Sequence, residues 1–171
     1  VVVNTKQKEF DYPKGDLNVY TNYAGKGGIQ LSSFFRKLIY AFKFNDFKLV
    51  FSSLITGESR LIYDRSIALM VKKIAPFLIY DGDPYLVLTD DGRMKWIYDA
   101  YTVSNRFPYS EPFNNRINYI RNSVKVVVDA YDGQVDFYLM DEEDPIIKAY
   151  NKVYVGLFKP LSQMPNSIRN H

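Results

Sequence analysis

A chain of 171 residues with 15 Tyr and 12 Phe has the length and aromatic load of one cored domain, which excludes a disordered segment. Cys is absent, so disulfides, zinc thiolates and thiol nucleophiles are excluded; the single His, His171, is the last residue, which argues against His-based dyads and multi-His metal sites. The net charge of +3 is too small for dense phosphate neutralisation and is unevenly spread, residues 1–75 holding 12 Lys and Arg against 6 Asp and Glu, and residues 76–171 holding 10 against 13.

Residues 1–28 read as an extended lead-in, in which Tyr mixed with Gly, Pro and Asn predicts looping backbone with one short strand at Leu17 to Tyr20. Its last part, "YAGKGGIQ" at residues 23–30, contains Lys26 but is not G-x-x-x-x-G-K-[ST], and no hydrophobic strand feeds it. A flexible loop is expected there rather than a phosphate cradle.

Three amphipathic helices are predicted over residues 29–75. Leu31, Phe34, Phe35, Leu38, Ile39 and Phe42 have helical spacing and place a helix at about 30–45, with Arg36, Lys37 and Lys43 on its other face. Asp46 is positioned to cap a second, at about 46–56, with the stripe Phe47, Val50, Phe51, Leu54 and Ile55 and a stop at Gly57. Asp64 is positioned to cap a third at about 63–75, with Ile67, Met70, Val71 and Ile74 inward and Pro76 as terminator.

From Pro76 the apolar period changes to two. "FLIYDGDPYLVLTDDGRMKWIYDAY" predicts strand, turn at Asp81 to Pro84, strand, turn at Asp90 to Gly92, and strand; "INYIRNSVKVVVDAYDGQVDFYLMD" predicts a second hairpin around Asp132-Gly133. In that hairpin Val124, Val126, Val128 and Ala130 point one way along their strand and Val135, Phe137 and Leu139 one way along the next, and Asp129, Asp132 and Asp136 are expected at the turn or facing solvent. "TVSNRFPYSEPFNNR" between the hairpins, with two Pro, reads as a surface excursion. Residues 144–171 open with Asp144-Pro145, a cap followed by proline at the first helical position, and predict a closing helix and tail. The expected fold class is α+β: the helices pack on a mainly antiparallel sheet made of the two hairpins, in one soluble domain spanning residues 1–171.

Candidate sites are few. Asp81, Asp83, Asp90 and Asp91 sit in two turns flanking one strand, a set of oxygens from which a hard cation could be held, although no calcium-loop spacing is present. The commoner reason for Asp beside Gly in turns is backbone conformation. Trp96, Tyr98, Tyr101, Arg106, Tyr109 and Arg116 combine aromatics with arginine, the composition of an interaction surface as well as of a core. The basic helix faces are ordinarily solvated, and they also suit anionic lipid headgroups. No cofactor-binding motif is found.

Long ordered stretches, among them "YAGKGGIQLSSFFRKLIYAFKF", "SRLIYDRSIALMVKKIAPFLIYDGDPYLV", "WIYDAYTVSNRFPYSEP" and "NYIRNSVKVVVDAYDGQVDFYLMDEEDPIIKAY", resemble the bacterial membrane-protein family UPF0182 over nearly the whole chain. The resemblance implies a parent with membrane-spanning helices followed by a large extracytoplasmic region, of which this chain is a piece. The start at Val1 and the lack of any stretch approaching ~18–20 apolar residues fit that expectation. It carries over no activity and no catalytic residue. The sequence therefore reads as a non-enzymatic extracytoplasmic binding or scaffolding module. Its expected partners are the remainder of its own membrane-anchored chain, an envelope protein or anionic lipid headgroups, and not nucleic acid. A cation-dependent envelope hydrolase using the clustered Asp residues is the alternative.

Overall fold

The computed structural model describes residues 1–113 and 116–170; Asn114 and Asn115 of the predicted excursion and the C-terminal His171 lie outside the described residues. The chain divides into two compact units, Val1–Tyr63 and Asp64–His171.

The first unit contains strands β1 (Val2–Val3), β2 (Glu9–Lys14), β3 (Leu17–Thr21) and β4 (Ile29–Gln30), helices α1 (Phe34–Phe44) and α2 (Lys48–Phe51), and strand β5 (Arg60–Leu61). The lead-in is more ordered than its composition suggests, because β2 and β3 pair as an antiparallel hairpin turning at Gly15, whose φ is +60°. Strand β5 pairs antiparallel with β1 on one side and β4 on the other, so Ile29 and Gln30 are strand residues and the predicted helix starts later, after Ser33. Helix α1 ends at Asn45 in the left-handed conformation. The second helix is one turn long where eleven residues were expected; Ser52 has extended backbone, and its hydroxyl accepts from Leu54 N at 3.2 Å, a local bond that competes with the helix.

Leu31, Ala41, Leu49 and Leu61 form the core of this unit. The helix has its predicted amphipathic spacing, but small Ala41 rather than the Phe-rich stripe faces the strands. Strands of two residues present too little area to cover four large side chains, and Phe34, Phe35, Ile39 and Phe42 remain exposed. The glycine-rich loop is held rather than flexible. The Arg60 guanidinium donates to the carbonyls of Lys26 (2.6 Å), Gly27 (2.7 Å) and Gly28 (3.2 Å), and Gly27 N donates to the Tyr23 hydroxyl. Gly28 has φ +74°, and a Cβ there would lie 2.8 Å from the Leu61 carbonyl.

The second unit contains α3 (Ile67–Ile74), β6 (Ile79–Tyr80), β7 (Tyr85–Leu88), β8 (Met94–Ser104), β9 (Tyr119–Asp129), β10 (Val135–Leu139), α4 (Pro145–Val153), β11 (Phe158–Pro160), one 3₁₀ turn (Leu161–Gln163) and α5 (Asn166–Arg169). Ser66, not Asp64, precedes α3; Asp64 has φ +53°, incompatible with the expected cap, and binds Lys73 Nζ at 2.6 Å. The strands run in the order β11-β10-β9-β8-β6, with β7 also on β8. Thus β6 and β7 do not pair with each other as the sequence suggested: both lie against successive parts of the eleven-residue β8, Tyr80 opposite Ala100 and Tyr85 opposite Ile97. Among the described residues of this unit every strand pairing is antiparallel except that of β10 with β11.

One sheet face carries Tyr98, Ala100, Val124, Val126, Val128, Phe137 and Leu139 against Val71 of α3, Ala75 just after it and Ile147 of α4. The opposite face carries Val87, Ile97, Val127 and Tyr138 under Met164 and Ile168 from the C-terminal segment. Alternation predicts this: with both faces of β9 covered, its sequence becomes the nearly continuous apolar run Val124-Lys125-Val126-Val127-Val128. The molecule is α+β with a mainly antiparallel sheet.

Candidate functional site

The four turn aspartates are not brought together. Asp81 and Asp83 precede β7 and Asp90 and Asp91 follow it, so the strand separates the two pairs. All four are exposed. Asp81 accepts from Gly82 N, and Asp91 accepts from the Thr89 hydroxyl and Arg93 N; the Thr89 bond is the largest cause holding the Asp91 carboxyl below its ordinary value. Both are local bonds that set turns. Among the described residues no group of three or more acidic or imidazole side chains is arranged to hold a metal ion.

The six aromatic and arginine candidates divide between core and surface. Tyr98 is buried in the α3/α4 core and stacks on Tyr80 at 5.5 Å, and Trp96 packs half-buried beside it. Tyr98 is therefore no part of an interaction surface. Tyr101 is half-buried at an irregularity in the β8–β9 register. Arg106, Tyr109 and Arg116 are exposed, all on the excursion between β8 and β9, where Phe113 joins them at 76% exposure.

That excursion is built by a side chain the sequence reading passed over. Asn118 Oδ1 accepts from Phe107 N at 2.9 Å, while its Nδ2 donates to the carbonyls of Phe107 (2.7 Å) and Ser110 (3.2 Å). The Ser110 hydroxyl returns a bond to the Asn118 carbonyl, and Phe107 stacks on Tyr119 with ring centres 4.2 Å apart. Amide and ring together fix the base of the loop. Beyond it Tyr109 stands fully in solvent with φ +58°, a left-handed conformation unusual for an aromatic residue. No residue-type pattern in the sequence announces an asparagine clamp between positions eleven apart.

Two carboxylates at turns and caps are buried, Asp129 and Asp144. Asp129, expected at the turn or facing solvent, does sit at the turn but is buried there: it accepts from Tyr131 N (2.9 Å) and Asp132 N (2.7 Å) and pairs with Lys95 Nζ (2.6 Å) and Arg93 (3.3 Å). Asp144 caps α4 as predicted, accepting from Ile146 N at 3.0 Å. It also accepts from the hydroxyls of Ser123 and Tyr119, each at 2.6 Å, and of Thr102. Burial alone would raise both carboxyls. At Asp144 the bonds from Ser123, Thr102, Tyr119 and Ile146 N outweigh it, and at Asp129 those from the turn amides and Lys95 do, so both lie below the usual carboxylate range. Burial, and then the bond to Asp144, push the Tyr119 hydroxyl up to about 12. Groups held firmly in one protonation state make poor proton shuttles near neutrality.

Near Asp129 the two hairpin turns border an open pocket of about 420 Å³ lined by Gly92, Arg93, Met94, Ala130 and Tyr131. Arg93 is committed there to Asp132 at 2.8 Å, leaving an apolar floor from Met94 and Tyr131. The Asp99 Oδ1 atom elsewhere on the sheet is buried without a hydrogen-bond partner among the described residues, with Lys125 Nζ 3.5 Å away.

These features define a class: an α+β module whose buried carboxylates are bonded internally and whose exposed aromatic side chains lie on a loop held at its base. The chain belongs to the uncharacterised protein family UPF0182, whose sequence profile matches residues 1–171. It is 56% identical to a UPF0182 protein of Desulforamulus reducens, over the whole of this chain and 18% of that protein. It is 53% identical to one from Pelotomaculum thermopropionicum and 52% identical to one from Geobacter sulfurreducens, each over the whole chain and 19% of the relative. The chain thus spans less than one fifth of the length of these curated relatives. No solved structure matches it. Among the described residues no helix is long and apolar enough to cross a membrane.

Proposed function

We propose that this chain is a non-enzymatic binding or scaffolding module of a multi-span membrane protein, lying on the extracytoplasmic side, with the β8–β9 excursion as its contact surface. The observation that carries the reading is the Asn118 clamp, which holds a loop presenting Tyr109, Phe113, Arg106 and Arg116 to solvent. Tyr and Arg are enriched among the residues that dominate binding energy in protein interfaces, and a loop whose base is held before binding loses less entropy on contact. The partner is the remainder of the parent chain or an envelope protein. Against a hydrolase stand the separation of Asp81 and Asp83 from Asp90 and Asp91 and the firmly ionised states of Asp129 and Asp144.

The sidedness is tested directly because this chain contains no Cys. Tyr109→Cys in a full-length parent otherwise freed of cysteine should react with a membrane-impermeant maleimide on intact cells. Labelling only after the cells are broken open would put the module on the other side.

A further inference from the structure

We propose that the exposed apolar face of α1 and α2 docks on an anionic lipid surface, a role beyond the loop-mediated contact described above. Phe34, Phe35, Ile39, Phe42, Phe47 and Phe51 are all exposed, Phe35 at 74% and Phe51 at 82%. The Phe42 and Phe47 rings meet edge to face at 5.3 Å, so the patch continues from one helix to the next. Scattered exposed apolar residues are ordinary, whereas a contiguous aromatic face marks a contact surface.

The charges identify the occupant. Arg36, Lys37, Lys43 and Lys48 accompany this face with Asp46 as the single acid between residues 30 and 51. Among the described residues none of the four cations is ion-paired: Arg36 donates to the Gln30 carbonyl, Lys37 to the Ile55 carbonyl, and Lys43 lies 4.4 Å from the Tyr63 ring centre. Two turns apart, Arg36 and Lys43 lie along one flank of the apolar face. Aromatics on one side and basic side chains at the flank suit a helix lying in the plane of a bilayer, phenyl rings among acyl chains and cations at the headgroups. A protein interface is depleted in lysine, which favours lipid over a second copy or another chain.

The test is co-sedimentation of the 171-residue chain with vesicles of phosphatidylcholine alone and of phosphatidylcholine and phosphatidylglycerol in equal parts. The chain should pellet with the mixed vesicles and far less with the neutral ones. Arg36→Gln and Lys43→Gln should each weaken binding to the mixed vesicles about fivefold. Phe35→Ser should weaken it about tenfold, with an unchanged melting curve because the ring is exposed. Failure to pellet with mixed vesicles overturns the proposal, as does undiminished binding by all three variants. A lipid-free dimer dissolved by Phe35→Ser would assign the face to a second copy and also overturn it. In the full-length parent, tryptic cleavage at Lys43 and Lys48 should be blocked by mixed vesicles and restored in detergent. Protection that persists in detergent would assign the face to the rest of the chain.

Discussion

Helices α1 and α4 carry the same kind of apolar stripe and dispose of it in opposite ways. In α4, Ile147 is 1% exposed against the large sheet, while in α1 Phe35 is 74% exposed and Ala41 takes the inward position. The difference lies beneath the helix. Strands β8 and β9 are each eleven residues long and offer a continuous apolar floor, whereas β4 and β5 have two residues each. Helical periodicity specifies a face, and the area available to cover it decides which way that face turns.

Substitutions on the two sides should therefore differ sharply in cost. Phe137→Ala, at the centre of the α3/α4 core, should lower unfolding free energy by about 3–5 kcal/mol in urea titration. Asp144→Ala should cost about 3 kcal/mol by orphaning the bonds from Thr102, Ser123, Tyr119 and Ile146 N, with Asp144→Asn recovering part of it. Arg60→Ala should cost about 1–2 kcal/mol and increase hydrogen exchange at Gly27, because the glycine loop loses its guanidinium anchor. Phe35→Ser should change stability by no more than about 0.5 kcal/mol. A large loss there would mean that the exposed face supports the fold after all.

Acid sharpens the same contrast. The folded values of Asp129 and Asp144 are depressed, so the stability these groups contribute is fully present above the unfolded carboxyl value of about 3.9 and is lost as pH falls through the lower folded values. Urea midpoints should begin to fall below about pH 5, and Asp144→Asn should flatten that fall. A midpoint independent of pH down to the acid limb would contradict the bonding assigned to these carboxylates.

Much of the fold was legible in the sequence for local reasons. Period-two alternation located β7 to β10, and Asp144-Pro145 marked the start of α4. What escaped is nonlocal. Asp129 resembles any turn aspartate until Lys95, 34 residues earlier in the chain, arrives across the β8–β9 register. The pairing of both β6 and β7 with β8 depends on the length of β8, which no local signal near β6 encodes. Among the proposed contact residues, Tyr109, Arg106 and Arg116 were legible as surface types in a Pro-rich excursion, while Tyr98 followed the same composition into the core. Asn118 carried no signal because its partners lie eight and eleven residues away along an irregular path.

The most direct test of the central claim, that this module works by presenting side chains on the clamped excursion, is photo-crosslinking in the full-length parent. A benzophenone amino acid placed at Tyr109 is compared with one at Asn151, an exposed control position on α4. The account predicts a discrete adduct from position 109 that position 151 does not give and that Asn118→Ala abolishes. No adduct at 109, or the same adducts from both positions, would contradict it.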